Sequence, residues 1–233
     1  MTDTAAKNFN ISNKLSLLAL IGANLIPLIG ALFFDWNAIL ILALFWIENL
    51  IIGLFNIAKM ATAGVYKKEL KAIFLCGFFF LHYGMFCAVH GTILWEILGL
   101  EKLPNGPLNV EWFGIGEIFR EGAVVFLSFV EMFKPQIWLG IAALFASHCI
   151  DFLENFILNQ ELKQSEAKDF MAKPYAQIFI LHGGLIVGAG AVEKFGSPIW
   201  LLIVIIGFKL GVEFFLYKRK LRKQERHKKL KAL

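Results

Sequence analysis

Long apolar stretches separated by short polar loops dominate this sequence. A bilayer core about 30 Å thick requires about 20 apolar residues per helix, and six stretches of the chain meet that requirement. The pattern therefore predicts an all-α, polytopic membrane protein with one transmembrane domain over residues 14–217. The six predicted transmembrane helices cover residues 14–34, 37–58, 71–98, 136–159, 175–193 and 198–217.

Residues 117–134 (EIFREGAVVFLSFVEMFK) are predicted to be helical but not to span the membrane. Their uncharged part is too short to cross a bilayer. A span at this point would also place a lysine-rich loop on the outer side. We therefore interpret this segment as an outer-side interfacial or re-entrant helix. A seven-helix arrangement is the alternative.

Basic residues predict the orientation of the chain. The net charge is +5, and most of it lies in the tail at 218–233. Lysines also occur in the predicted loops 59–71 and 160–174. The positive-inside rule places these segments and the N-terminus at 1–13 in the cytoplasm. We expect an inner-membrane protein with both termini inside, whose tail contacts anionic lipid head groups and not nucleic acid.

Composition agrees with the membrane interpretation. Hydrophobic residues make up 58% of the chain and charged residues only 18%, which is too apolar for an ordinary soluble domain. We therefore expect membrane lipids to be the main surroundings of the protein.

Several ionisable side chains lie near one depth in the predicted helices. Counted at 1.5 Å per residue, Glu48, His82, His148 and His182 all fall close to the bilayer centre. A charged group there costs about 2.5–3.5 kcal/mol, so these side chains should face one another or a water-filled cavity. Asp151 shares a helix face with His148, because the two are three residues apart.

One interpretation of this group is a metal site. Imidazole and carboxylate are ligands of Zn²⁺ and non-haem iron, and His82, His148 and His182 with Glu48 would form the ligand set. Glu48 or Asp151 would then be the general base of an intramembrane metal-dependent hydrolase. Its substrate would be a lipid or a membrane peptide.

Two other interpretations stay open. In one of them, the imidazoles lock helix packing through hydrogen bonds, and the protein is a non-catalytic scaffold. Alternatively, they relay protons in a proton- or ion-coupled transporter. Lys209 lies about as deep in the last helix and is expected to pair with a carboxylate such as Asp151.

His90 is expected to have a different role from His82. The two residues are eight positions apart, which is about 12 Å along a helix and about 80° around it. One metal ion cannot bind both. His90 is nearer the outer surface, where it would line an entrance, accept a proton or bond to the loop at 99–116.

An internal repeat with an offset of 100 residues is a further prediction. FLHYG at 80–84 matches ILHGG at 180–184, and the same offset pairs Glu48 with His148. In the six-helix topology, both halves cross the membrane in the same direction. A duplication would therefore produce a parallel repeat.

Four motifs resemble a family of prokaryotic multi-pass membrane proteins that is catalogued as having unknown function. They are WIEN (46–49), LHYGMFCAVHG (81–91), SHCIDFLENF (147–156) and PYAQIFILH (174–182). The resemblance implies that the motifs form one unit, and it implies no substrate. The stretch at 181–190 (LHGGLIVGAG) is also similar to the rhomboid helix that carries the base histidine, although no serine occupies a matching elbow.

Overall fold

The computed structural model describes the protein over residues 36–100, 114–158, 161–172, 174–197, 199–208 and 211. The predicted first helix at 14–34, the tail at 218–233 and Lys209 lie outside these residues. The six-helix count and the internal repeat therefore stay predictions.

All regular structure in the described parts is helical, which confirms the all-α prediction for them. A π-helical segment, Phe152–Leu158, continues the fourth helix. The helices are α1 (Ala38–Lys67), α2 (Lys71–Ile97), α3 (Ile115–Met132), α4 (Gln136–Asp151), α5 (Glu161–Gln164), α6 (Ala167–Met171), α7 (Tyr175–Phe195) and α8 (Ile199–Phe208).

Four helical stretches of the described chain are long and apolar enough to cross a membrane, by length and composition. They overlap four of the six predicted spans. Several apolar helices thus indicate a membrane protein, whereas α8 is apolar but shorter. The four stretches are Ala38–Lys67, Lys71–Ile97, Gln136–Leu158 and Ala167–Phe195.

Backbone contacts divide the chain into two compact units, with the boundary after Ile178. In the second unit, α8 packs against α7 at glycine positions. A Cβ atom at Gly184 would lie 2.6 Å from Ile205, and one at Gly183 would lie 3.2 Å from Phe208. Small residues therefore let these two helices approach closely.

In the first unit, α1 and α2 form an antiparallel hairpin. The Trp46 indole N–H donates to the Cys87 carbonyl at 2.8 Å, and the Tyr83 hydroxyl donates to the Asn49 carbonyl at 3.1 Å. Lys68 turns the chain between the helices in the left-handed conformation, with a φ of 55°. Two buried side-chain to backbone bonds, about one turn apart, thus link the two helices.

The predicted end of the first of these helices is wrong. The loop expected at 59–71 is mostly helix, because α1 continues to Lys67 and leaves only a short turn. Met60 and Ala63 are fully buried in a cluster with residues of α2, α6 and the π segment. The apolar face therefore continues past Lys59, and packing extends the helix beyond the first lysine.

The short helix α3 lies along α2 and runs in the same direction. Phe119, one turn into α3, stacks on Phe80 with ring centroids 5.5 Å apart. Phe129, near the end of α3, meets Trp95 at 5.1 Å. Helix α3 therefore begins beside the middle of α2 and ends beside its last turns.

Helix α4 lies along α1, also in the same direction. A Cβ atom at Gly140 would lie 2.6 Å from the Leu44 side chain, and Phe145 packs on Phe55 with ring centroids 5.3 Å apart. The π segment that follows α4 matters for the site, because π turns within α-helices are frequent at functional positions.

The orientation can be tested by cysteine labelling in a variant without the native cysteines. Lys67→Cys and Ser165→Cys should resist a membrane-impermeant maleimide added to intact cells, because lysine-rich turns stay inside. Ser197→Cys, between α7 and α8, is the matched outer-side control and should react. Labelling of Lys67→Cys or Ser165→Cys in intact cells would reverse the predicted topology.

Candidate functional site

Glu48 and His148 face each other between α1 and α4. The His148 Nε2 atom lies 4.0 Å from Glu48 Oε1, and only 9% of the Glu48 side chain is exposed. Phe55, two turns further along α1, stacks on the imidazole with ring centroids 5.9 Å apart. Glu48 and His148, which were predicted to share one depth on these two helices, thus lie next to each other.

An ion pair lies on the same interface. Lys59 Nζ is 2.9 Å from Asp151 Oδ2, and Asn155 Nδ2 donates to Asp151 Oδ1 at 2.7 Å. The side chains of Lys59 and Asp151 are 16% and 42% exposed. Lys209, the partner expected for Asp151, lies outside the described residues.

Glu48, His148, Asp151 and Lys59 form what we call the polar column. Glu48 and Lys59 are 11 residues apart on α1, which is about 16 Å along the helix and about 20° around it. His148 and Asp151 are neighbours at i and i+3 on α4. The column therefore runs from the buried part of α1 toward the turn between α1 and α2.

His82 has its own surroundings. Its Nδ1 atom is 2.7 Å from the hydroxyl of Tyr175, in the first turn of α7. The imidazole also stacks on Phe78 with centroids 5.2 Å apart and meets the edge of Phe86 at 5.1 Å. Phe78 and Phe86 belong to α2, as His82 does, and the bond to Tyr175 links His82 to a second helix.

His90 is buried in α2, and its Nδ1 atom lies 2.6 Å from the Phe86 carbonyl one turn earlier. His82 and His90 thus have different hydrogen-bond partners, as their angular separation requires. The predicted contact of His90 with the loop at 99–116 concerns mostly residues outside the described parts.

The described residues contain no group of three or more His, Cys, Asp and Glu side chains that could hold a metal ion. Glu48 and His148 are close to each other, whereas the recorded polar partner of His82 is Tyr175. His182 belongs to the second compact unit. The Zn or iron site at these four residues, and the hydrolase built on it, therefore stay predictions.

Sequence reasoning missed two residues of this region, Lys59 and Tyr175. Lys59 was placed in a loop, yet its separation of 11 residues from Glu48 puts both on one helix face and was a usable signal. Tyr175 had no such signal, because its bond to His82 joins residues 93 positions apart in the chain.

Metal content separates the metal-site interpretation of the polar residues from the scaffold and transporter interpretations. Without the four-ligand site, detergent-purified protein should retain neither zinc nor iron in stoichiometric amount after dialysis against a chelator. Elemental analysis measures this directly. One metal ion per chain that is lost in both His82→Ala and His148→Ala would instead support the four-ligand site.

Four helices of the described chain that are long and apolar enough to cross a membrane, by length and composition, indicate a multi-pass α-helical membrane protein. It belongs to the Family of unknown function (DUF6498), whose model matches residues 7–232. The expected membership of such a family is confirmed, while the likeness of 181–190 to a rhomboid helix stays a prediction. No curated protein and no solved structure matches the chain.

Proposed function

We propose that the protein is a proton-coupled membrane transporter in which Glu48 and His148 carry the proton. The observation behind this proposal is the position of Glu48, a buried carboxylate 4.0 Å from an imidazole within an apolar helix. Ionisable groups at such depth are costly and commonly serve ion or proton pathways. A metal-dependent hydrolase would need a third ligand beside this pair, and the described residues supply none.

The pair is suited to sharing one proton. An imidazole ring nitrogen can accept a proton and later release it, so His148 can exchange a proton with a neighbouring carboxyl group. A separation of 4.0 Å exceeds a direct hydrogen bond, and a small side-chain rotation or one bridging water closes it. Neutral Glu48 beside neutral His148 carries the same total charge as carboxylate beside imidazolium. Transfer within the pair therefore leaves the charge of the site unchanged.

The rest of the polar column provides the next steps of a path. Asp151 lies one turn beyond His148 and is held by Lys59 and Asn155. A proton that leaves His148 meets this carboxylate before it reaches the end of α1. The column ends near the lysine-rich turn that we expect on the cytoplasmic side.

We also propose that α3 is re-entrant. It begins beside the middle of α2 and runs toward the same end, and it is not among the helices apolar enough to cross a membrane. Its first turns carry Glu117, Arg120 and Glu121. Interrupted or partial helices recur in transporters near their binding sites, so α3 supports the transport proposal.

Proton flux tests the proposal in liposomes that contain the protein and a trapped pH-sensitive dye. An imposed pH gradient and membrane potential should drive proton uptake above that of empty vesicles, measured with and without a mixture of small metabolites. Glu48→Gln and His148→Gln should each lower this uptake at least about tenfold, because loss of a positioned proton-transfer group typically costs about 10²–10⁴ in rate.

Glu131→Gln is the matched control. Glu131 is a carboxylate that is 77% exposed at the end of α3, where it pairs with Lys134. Its removal should leave proton uptake unchanged. Wild-type uptake equal to that of empty vesicles under every condition would contradict the transport proposal, as would equal uptake in wild type and Glu48→Gln.

A further inference from the structure

A cavity of about 660 Å³ lies between α1, α2 and α3, all within the first compact unit. It is on the side of α1 away from the polar column, because Trp46 and Glu48 are about 200° apart around the helix. It is therefore independent of the proton-carrying pair. Its walls include Trp46, Leu50, Phe79, Tyr83, Phe119 and Phe126.

The walls of this cavity are almost entirely hydrocarbon. The two polar groups of its aromatic residues are already used, since Trp46 donates to the Cys87 carbonyl and Tyr83 donates to the Asn49 carbonyl. A water molecule in a buried site needs two to four polar partners, and these walls offer few. An apolar ligand fits the cavity better than water does.

The volume matches a single long alkyl chain. A methylene group occupies about as much space as a water molecule in the liquid, about 30 Å³. The cavity of about 660 Å³ therefore holds about 20 such groups. A helix about 10 Å across would fill it with less than two turns, so a protein segment is a poorer match to its shape and size.

The mouth of the cavity opens among exposed apolar side chains. Leu54 and Phe80 are 56% and 54% exposed, and Ala123 beside them is also exposed. Leu54 and Phe80 belong to α1 and α2, which are long and apolar enough to cross a membrane. A chain of the surrounding bilayer can therefore enter sideways, without passing through water.

We propose that this cavity binds one long alkyl chain of a membrane lipid. Burial of the chain is favourable, because each methylene group that leaves a poorly packed environment gains dispersion contacts with the walls. The cavity selects a ligand that is long and apolar. A phospholipid acyl chain and the chain of a free fatty acid both have these properties. Photolabelling with each compound in turn distinguishes these two sources of the chain.

Photolabelling of the full-length protein in liposomes tests the proposal. One sample contains a phospholipid with a diazirine in its acyl chain, and a second contains a free fatty acid with the same group. Mass spectrometry should find adducts on Leu50 and Phe126, which line the cavity and are partly exposed, in the phospholipid sample. Excess long-chain phospholipid should suppress them in wild-type protein, and short-chain phospholipid should not.

Two neighbouring positions on α3 supply a matched pair of variants. Ala123→Trp narrows the mouth and should lower the adducts inside the cavity about tenfold, the effect of excluding about two methylene groups. Leu127→Trp, one turn further along and 63% exposed outside the cavity, should leave them unchanged. If the Ala123→Trp variant does not elute as a folded species, Leu50→Phe is used in its place, because the larger side chain fills the interior of the cavity.

Three results would overturn the proposal. Adducts confined to outward-facing residues such as Leu127 would mean that a segment of this chain, a second copy or nothing fills the cavity. Equal suppression by short-chain and long-chain phospholipid would exclude selection by chain length. Adducts from the free fatty acid alone would assign the cavity to a different ligand. None of these results bears on proton uptake through Glu48.

Discussion

Replacement of Gly91 by alanine is expected to lower the free energy of unfolding by about 2–4 kcal/mol. A Cβ atom at this position would lie 2.5 Å from Cζ2 and 2.9 Å from Nε1 of Trp46. The indole is fully buried and donates to the Cys87 carbonyl, so it cannot move without weakening that bond. Overpacking costs about 1–3 kcal/mol and a lost buried hydrogen bond about 0.5–1.5 kcal/mol.

Gly77→Ala, on the same helix, is the control for Gly91→Ala. Apart from its chain neighbours and the adjacent backbone of its own helix, no atom lies within 4 Å of a Cβ atom placed at Gly77. This change should therefore be neutral or stabilise the protein by up to about 1 kcal/mol, because alanine is the better helix former. Unfolding of the detergent-purified protein by SDS measures both variants. Equal stability of the two would show that Trp46 adapts without loss, contrary to the expected contact.

Asp151→Leu should destabilise the protein by about 2–3 kcal/mol, because it leaves the Lys59 ammonium without its counter-ion on an apolar helix. The same change together with Lys59→Met should cost less than Asp151→Leu alone. Replacing both partners of an ion pair in apolar surroundings by apolar residues is often close to neutral. The double-mutant cycle, measured by the same SDS unfolding, should therefore give a coupling energy above about 1 kcal/mol.

Glu131→Gln serves as the control for this cycle, since its partner Lys134 is half exposed and the pair lies three residues apart at the end of α3. Exposed pairs of this kind contribute about 0–1 kcal/mol. If Asp151→Leu changed stability no more than Glu131→Gln does, Lys59 and Asp151 would be a surface pair, and the polar column would end at His148.

Periodicity and depth were enough to predict part of the candidate site. Counting along each helix placed Glu48 and His148 at the same depth, and the spacing of His148 and Asp151 placed them on one face. The contact of Glu48 with His148 also requires that α1 and α4 be neighbours. This neighbourhood comes from packing between helices whose contacting residues lie 100 positions apart in the chain, and no local pattern predicts it.

The same limit explains the outcome for His82. The predicted depth of His82 matches that of the other ionisable residues. This depth follows only from the position of His82 along its own helix. Its hydrogen-bond partner depends on which helix packs beside it, and that partner is Tyr175. The prediction for Lys59 failed for a different reason. The loop at 59–71 was predicted from the positions of lysines, whereas burial of Met60 and Ala63 extends the helix through this segment.

The sequence by itself determined the all-helical class, the apolar helices long enough to cross a membrane and the residues that share each helix face. These features depend on hydrophobicity and on a helical period of 3.6 residues, which act over one or a few turns. Only the tertiary structure decided that Glu48 meets His148, that Lys59 pairs with Asp151 and that α3 and two longer helices enclose a cavity. Helices that are apolar nearly all round can pack in many arrangements of similar hydrophobicity. Close contacts at glycines such as Gly91 and Gly140, together with buried hydrogen bonds, select one arrangement among them.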